Sequence, residues 1–97
     1  MTNKAYSEAE ASKLIKDLPD WDLGVEGRAI HCEQAFKDFK TALAFVNKVG
    51  ELAESANHHP DINFGYDYVD ITLCTHSADG LTDKDFALAK KISSVLN

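Results

Sequence analysis

Residues 54–76 read ESANHHPDINFGYDYVDITLCTH, from Glu54 to His76. Pro60 stops any helix arriving from upstream, because it has no N–H and restricts the residue before it. Asn57 suits the helix C-terminus, since asparagine tolerates the left-handed conformation found there. Downstream, INFGY and YVDITLCTH are rich in β-branched and aromatic residues and alternate with period two. Val69, Ile71 and Leu73 fall on one strand face; Tyr68, Asp70, Thr72, Cys74 and His76 fall on the other. A turn near Gly65 would pair the two runs as an antiparallel hairpin. The same stretch holds three of the four histidines of the chain, His58, His59 and His76.

Working outward, DFKTALAFVNKVGELAESAN reads as the longest helix. Asp38 is its N-cap, and Phe39, Ala42, Leu43, Val46, Val49, Gly50 and Ala53 form an apolar stripe. Before it, WDLGV and RAIHCEQAF alternate as strands. Trp21, Leu23 and Val25 share a face, as do Ile30, Cys32 and Phe36, and Glu26-Gly27 forms the turn. At the start, YSEAEASKLIKDLP reads as a helix opened by a Ser7/Glu10 capping box. Ala11, Leu14, Ile15 and Leu18 lie on its apolar side, and Pro19 ends it. After His76 comes a loop and a last helix, with a Thr82/Asp85 capping box and a Leu81/Phe86 staple. Leu88, Ile92 and Val95 supply its apolar face.

The order is therefore α-β-β-α-β-β-α. It predicts an α+β two-layer sandwich, a four-stranded antiparallel sheet with helices on one face, formed as one domain over residues 1–97. Open sheet edges favour pairing between subunits, hence a homodimer or homotetramer.

Of the 97 residues, 44% are apolar, enough for a core without metal or disulfide support. The net charge of −6 disfavours direct contact with nucleic acid or anionic membranes. The N-terminus shows no signal-peptide h-region, and no apolar run reaches the ~20 residues of a membrane span. Cys32 and Cys74 match no Cys-x-x-Cys spacing and read as reduced thiols of a cytoplasmic protein.

The histidine grouping is the chemical feature. Glu54 stands four residues before His58, at helical reach, and Asp85 opens the last helix. If these segments converge, three imidazoles and two carboxylates surround one pocket, a set suited to general acid–base chemistry near neutral pH. Asp85 could equally serve only as a capping acid, and Glu54 only as a helix-surface acid. His31, beside Glu33, reads as an ordinary exposed strand residue. A metal is not expected: adjacent His58 and His59 point opposite ways in extended backbone, and no His-x-x-x-His or His-Glu-x-x-His is present. Cys74 lies two residues from His76, but no recognised motif marks it as a nucleophile.

Glu54, His58-His59-Pro60, Tyr66, His76 and Asp85, at this spacing, resemble the signature of the pterin-4a-carbinolamine dehydratases. LPDWDL and AFKDFKTALAFVNKVGELAE are similar to that family as well, so the resemblance spans about residues 14–95. It implies the same α+β sandwich and a homo-oligomer. It implies an enzyme, a hydro-lyase that dehydrates 4a-hydroxytetrahydrobiopterin (a 4a-hydroxytetrahydropterin) to quinonoid dihydropterin. That step recycles the pterin after an aromatic amino-acid hydroxylase turns over, and it needs no cofactor. By resemblance, His58 and His76 are the general acid/base pair and His59 the catalytic-site histidine that orients the pterin. Glu54 and Asp85 would support the histidines. Asn57, Cys74, Thr75 and Ser77 would flank the ring together with His58, His59 and His76. Two positions depart from the family: Ile62 stands where an aromatic residue is frequent, and Asn57 replaces a frequent acid.

Two other readings stay open on sequence. Some relatives act as dimerisation cofactors of transcription regulators, which would make this fold a protein-binding module. The substrate could also be a different pterin, for example one near molybdopterin metabolism.

Overall fold

The computed structural model describes residues 4–96. Three helices, α1 (Glu8–Leu14), α2 (Phe39–Ala56) and α3 (Asp83–Ser94), pack on one face of a sheet. Its strands are β1 (Asp22–Leu23), β2 (Ile30–Ala35), β3 (Asp61–Phe64) and β4 (Tyr68–Leu73), in spatial order β1-β2-β4-β3. All neighbours are antiparallel. The expected α+β architecture and element order are therefore present.

Local signals set the helix starts. The Ser7 hydroxyl accepts from the Glu10 N–H at 3.1 Å, and the Glu10 carboxylate accepts from the Ser7 N–H at 2.8 Å. Asp38 accepts from the Thr41 N–H at 2.9 Å and its hydroxyl at 2.6 Å. These bonds hold the Glu10 and Asp38 carboxyls below their ordinary values. A depressed folded-state value means the stabilisation is present above the ordinary carboxylate value and is lost as pH falls from there through the lower folded-state value.

The sheet buries Ile30, Cys32, Val69, Ile71 and Leu73 against Ala42, Phe45, Val49 and Ala53 of α2 and Leu88, Ala89 and Ile92 of α3. Each large aliphatic so buried contributes about 1.5–3 kcal/mol relative to exposure. The Trp21 indole N–H donates to the Ser93 hydroxyl at 3.0 Å, tying the chain before β1 to the end of α3.

Four details differ from the sequence reading. The inward face of α2 includes Phe45, whereas Phe39 and Leu43 are 45% and 37% exposed. The stripe is rotated because the helix meets the sheet along residues 42, 45, 49 and 53. The first helix gives way to a 3₁₀ turn over Ile15–Asp17 before Pro19. β1 is two residues long, and Val25 is exposed because it already belongs to the turn. β4 ends at Leu73, so Cys74 and His76 do not continue its outer face; His76 begins a 3₁₀ turn over His76–Ala78.

The turn of the first hairpin is centred on Glu26 and Gly27, at φ 60° and 67°, with the Arg28 N–H donating to the Val25 carbonyl. Two positive φ values match the twist of the strands, but a side chain at either position is strained. A Cβ on Gly27 would also lie 3.0 Å from Glu8 Cα. Gly27→Ala is therefore expected to lower unfolding free energy by about 1–2 kcal/mol. Glu26→Asn is expected to raise it by about 0.5–1 kcal/mol. Urea denaturation of the two variants checks both signs.

Candidate active site

Three segments meet at one end of the sheet: the end of α2, the chain leaving β4, and the start of α3. Asn57 closes α2 in the left-handed conformation, φ 50° and ψ 43°. Its N–H donates to the Glu54 carbonyl, and the His58 N–H donates to the Ala53 carbonyl, each at 3.1 Å. This pair of bonds is the Schellman closure. It turns the chain so that the two adjacent histidines face differently: the His58 side chain is 11% exposed and that of His59 56%.

His58 points at α3. Its Nε2 lies 2.5 Å from Oδ1 of Asp85, a carboxylate with no exposed surface. The second oxygen, Oδ2, accepts from the Thr75 hydroxyl at 2.7 Å and from the Thr82 N–H at 2.9 Å. A buried carboxylate is tolerated only when such donors replace its lost hydration. Among the described residues no buried side-chain polar atom lacks a partner. With Nε2 engaged by Asp85, Nδ1 is the His58 nitrogen left to exchange a proton with a ligand.

Glu54 does not meet His58, as helical spacing suggested. Its carboxylate hydrogen-bonds His59 Nε2 instead, and both side chains are largely exposed. The reason is the left-handed turn at Asn57: the helix has ended before His58, so the i−4 relation no longer holds.

The strand leaving the sheet continues through Cys74 and Thr75 into the turn that carries His76 and Ser77. The Thr75 N–H donates to the Gly80 carbonyl at 2.8 Å, closing this loop on itself. His76 is exposed. Both its ring nitrogens lie 3.9 Å from Cys74 Sγ, a weak contact that leaves the imidazole open to solvent. Burial pushes the Cys74 thiol up, and the charges of Asp85, Asp61 and Asp79 push it the same way. A thiolate is thereby disfavoured, which argues against nucleophilic chemistry at this sulfur.

Asn57, His58, His59, Cys74, Thr75, His76 and Ser77 all line one open cleft of about 310 Å³. Asp85 lies beneath it and Glu54 beside His59. Tyr66 is not brought there; it sits two-thirds exposed in the β3–β4 turn, at the opposite end of β4. Lys84 also lines the cleft and is the only Lys or Arg among the described residues that line it. The sequence reading missed it, although its place beside Asp85 in the first turn of α3 was the available signal. A larger depression of about 360 Å³ lies between α1 and α3, but its lining contains no histidine. A separate grouping, His31, Glu33 and Asp70, occupies the open sheet face, with potential ligand atoms within 4.8 Å of one another.

The geometry gives one imidazole buried on a carboxylate, one paired at the rim and one open to water, around a cleft the size of a small ring system. Comparison with known proteins gives the family. The family model "Pterin 4 alpha carbinolamine dehydratase" matches residues 4–95. A protein of Cyanothece sp. is 52% identical over 89 residues, covering 92% of this chain and 90% of its own. One of Thermomicrobium roseum is 43% identical over 88 residues, covering 91% and 92%. Both carry the name "Putative pterin-4-alpha-carbinolamine dehydratase". A crystal structure of a "transcriptional coactivator/pterin dehydratase" from Brucella melitensis is 33% identical with a TM-score of 0.91, covering 97% of this chain and all of that one. A pterin dehydratase-like RuBisCO assembly factor of the alpha-carboxysome is 26% identical with a TM-score of 0.66, covering 77% of this chain and 87% of its own. The match along almost the whole chain places the protein in the pterin-4a-carbinolamine dehydratase family.

Proposed function

We propose that this protein dehydrates a 4a-hydroxytetrahydropterin to the quinonoid dihydropterin, with His58 and His76 as the proton-transfer groups. The observation that supports this most is the pairing of His58 with a fully buried Asp85 on the wall of a cleft that also presents His76. The reaction is redox-neutral. The C4a–O bond breaks, the oxygen leaves as water after accepting a proton, and a ring nitrogen gives up its proton as the new double bond forms. One group must donate and one accept, and imidazoles do both near neutral pH. His58 is held by Asp85 and can exchange a proton at Nδ1. His76, open to water, suits the second transfer and return of the proton to solvent. His59, held by Glu54, would orient the ring from the rim. Lys84 would offer a positive charge to a ring carbonyl.

The same reading makes the protein a cytoplasmic, cofactor-independent enzyme of pterin recycling, acting after an aromatic amino-acid hydroxylase. Its oligomer would be built through the β1 or β3 edge, each of which has one unpaired side in the sheet. No described helix is long and apolar enough to cross a membrane. A protein-binding role is the second reading. It is favoured by Phe39, which stacks on Phe64 yet is partly exposed, and by the partly exposed Leu43, and by the roles named for the two structural relatives. It does not use the cleft, so the two readings separate experimentally.

Stopped-flow ultraviolet absorbance of 4a-hydroxytetrahydropterin decay tests the proposal. Wild type is expected to accelerate decay. His58→Ala/His76→Ala is expected to lose at least ~100-fold of that acceleration with the fold intact. Full activity in the double variant would end the histidine mechanism, and no acceleration by wild type would end the dehydratase reading. A second expectation concerns Cys74. Because its thiolate is disfavoured, iodoacetamide should alkylate it more slowly than a free thiol at neutral pH, with the rate climbing only in alkaline solution. Reaction at neutral pH faster than a free thiol would return it to candidacy as a nucleophile.

A further inference from the structure

We infer that Thr75 is a positioning residue of this site, one that acts through Asp85 on His58 and not by touching the ligand with its hydroxyl. The catalytic consequence rests on the dehydratase reading; the structural part stands without it.

Thr75 lines the cleft yet is only 4% exposed. Its Oγ1 lies 2.7 Å from Asp85 Oδ2 and 2.8 Å from Thr82 Oγ1. A hydroxyl has one proton, and a carboxylate can only accept. The Thr75 proton therefore goes to Asp85, and the Thr82 proton goes to Thr75. The Thr82 oxygen in turn accepts from the Lys84 N–H at 3.3 Å. The bonds run in one direction, from the first turn of α3 through two hydroxyls to the carboxylate. Aligned bonds of this kind polarise one another.

The end of the chain is what matters for the site. Oδ2 receives two donors, Thr75 Oγ1–H and Thr82 N–H, from two different segments. Those two bonds fix the rotation of the carboxyl plane. Oδ1 is left as the acceptor for His58, and it holds the imidazole proton on Nε2 with Nδ1 free. Thr75 is also the residue from which the His76 turn springs: its carbonyl accepts from the Ala78 N–H at 3.0 Å, and its N–H donates to Gly80. One threonine thus sets the carboxylate behind one histidine with its side chain and the turn of another with its backbone. A change confined to the hydroxyl separates the two.

The experiment compares wild type with Thr75→Val, which keeps the shape and removes the hydroxyl, and Thr75→Ser, which keeps the hydroxyl. Two readouts are taken: dehydration kinetics, and the hydrogen-bonded Nε2–H proton of His58 by NMR in the ligand-free protein. Thr75→Val is expected to lower kcat about 10-fold with KM little changed. It should also speed solvent exchange of the His58 Nε2–H. Thr75→Ser should restore both. If Thr75→Val does not fold, Thr75→Cys, a weak donor close to serine in size, takes its place. Unchanged kcat and unchanged exchange would overturn the inference. So would a raised KM at unchanged kcat, which would mean the hydroxyl contacts the substrate. If wild type shows no dehydration at all, the functional reading fails on its own, and the ligand-free NMR comparison still decides the positioning role.

Discussion

The carboxylate of Asp85 is the constraint around which this end of the molecule is organised. It is fully buried, and it is satisfied by groups from three separate parts of the chain: His58 after α2, Thr75 after β4, and Thr82 at the start of α3. Removing one partner of such a buried arrangement costs about 1–3 kcal/mol, because the remaining group keeps its desolvation penalty. The three segments are therefore locked to one another where the sheet ends. The cleft lies on top of that lock, so the interactions that hold α3 against the sheet also orient the His58 imidazole that lines it.

The rest of the fold brings those segments to one place. The buried stripes of α2 and α3 cover one face of the sheet, which puts the end of α2 and the start of α3 beside the end of β4. The Schellman closure at Asn57 then decides which histidine turns inward. Had the helix run on through His58, Glu54 would have faced it, and Oδ1 of Asp85 would have lost its partner while Oδ2 kept Thr75 and Thr82. The left-handed residue thus has a chemical consequence: it assigns one acid to each of two neighbouring histidines.

This also explains what could be read from the chain alone. The caps at Ser7, Asp38 and Thr82 and the stop at Asn57 were legible, because each depends on residues within four positions of itself. The hairpin runs were legible through their period-two pattern, and the convergence of the residues from Asn57 to Ser77 on one cleft through their clustering and family resemblance. The partner of Glu54 was not legible, because it depends on the direction of a turn and not on spacing. Phe45 was passed over in favour of Leu43, since both are apolar and only the packing of α2 on the sheet separates them. His76 was placed on a strand because the alternation continues past Leu73; the strand ends where its partners do, Leu73 pairing with the first residue of β2 and Thr72 with the first of β3, a limit that no periodicity in β4 marks. Lys84 reads as a surface lysine until α3 is docked beside the cleft.

The central claim is that Asp85 and His58 work as one unit, and a double-mutant cycle in turnover tests it most directly. Dehydration rates would be measured for wild type, His58→Ala, Asp85→Asn and the double variant. If the carboxylate acts through the imidazole, the double variant is no slower than the slower single variant, as expected of residues that function together. Losses that multiply would show that Asp85 and His58 contribute independently, and would contradict the account.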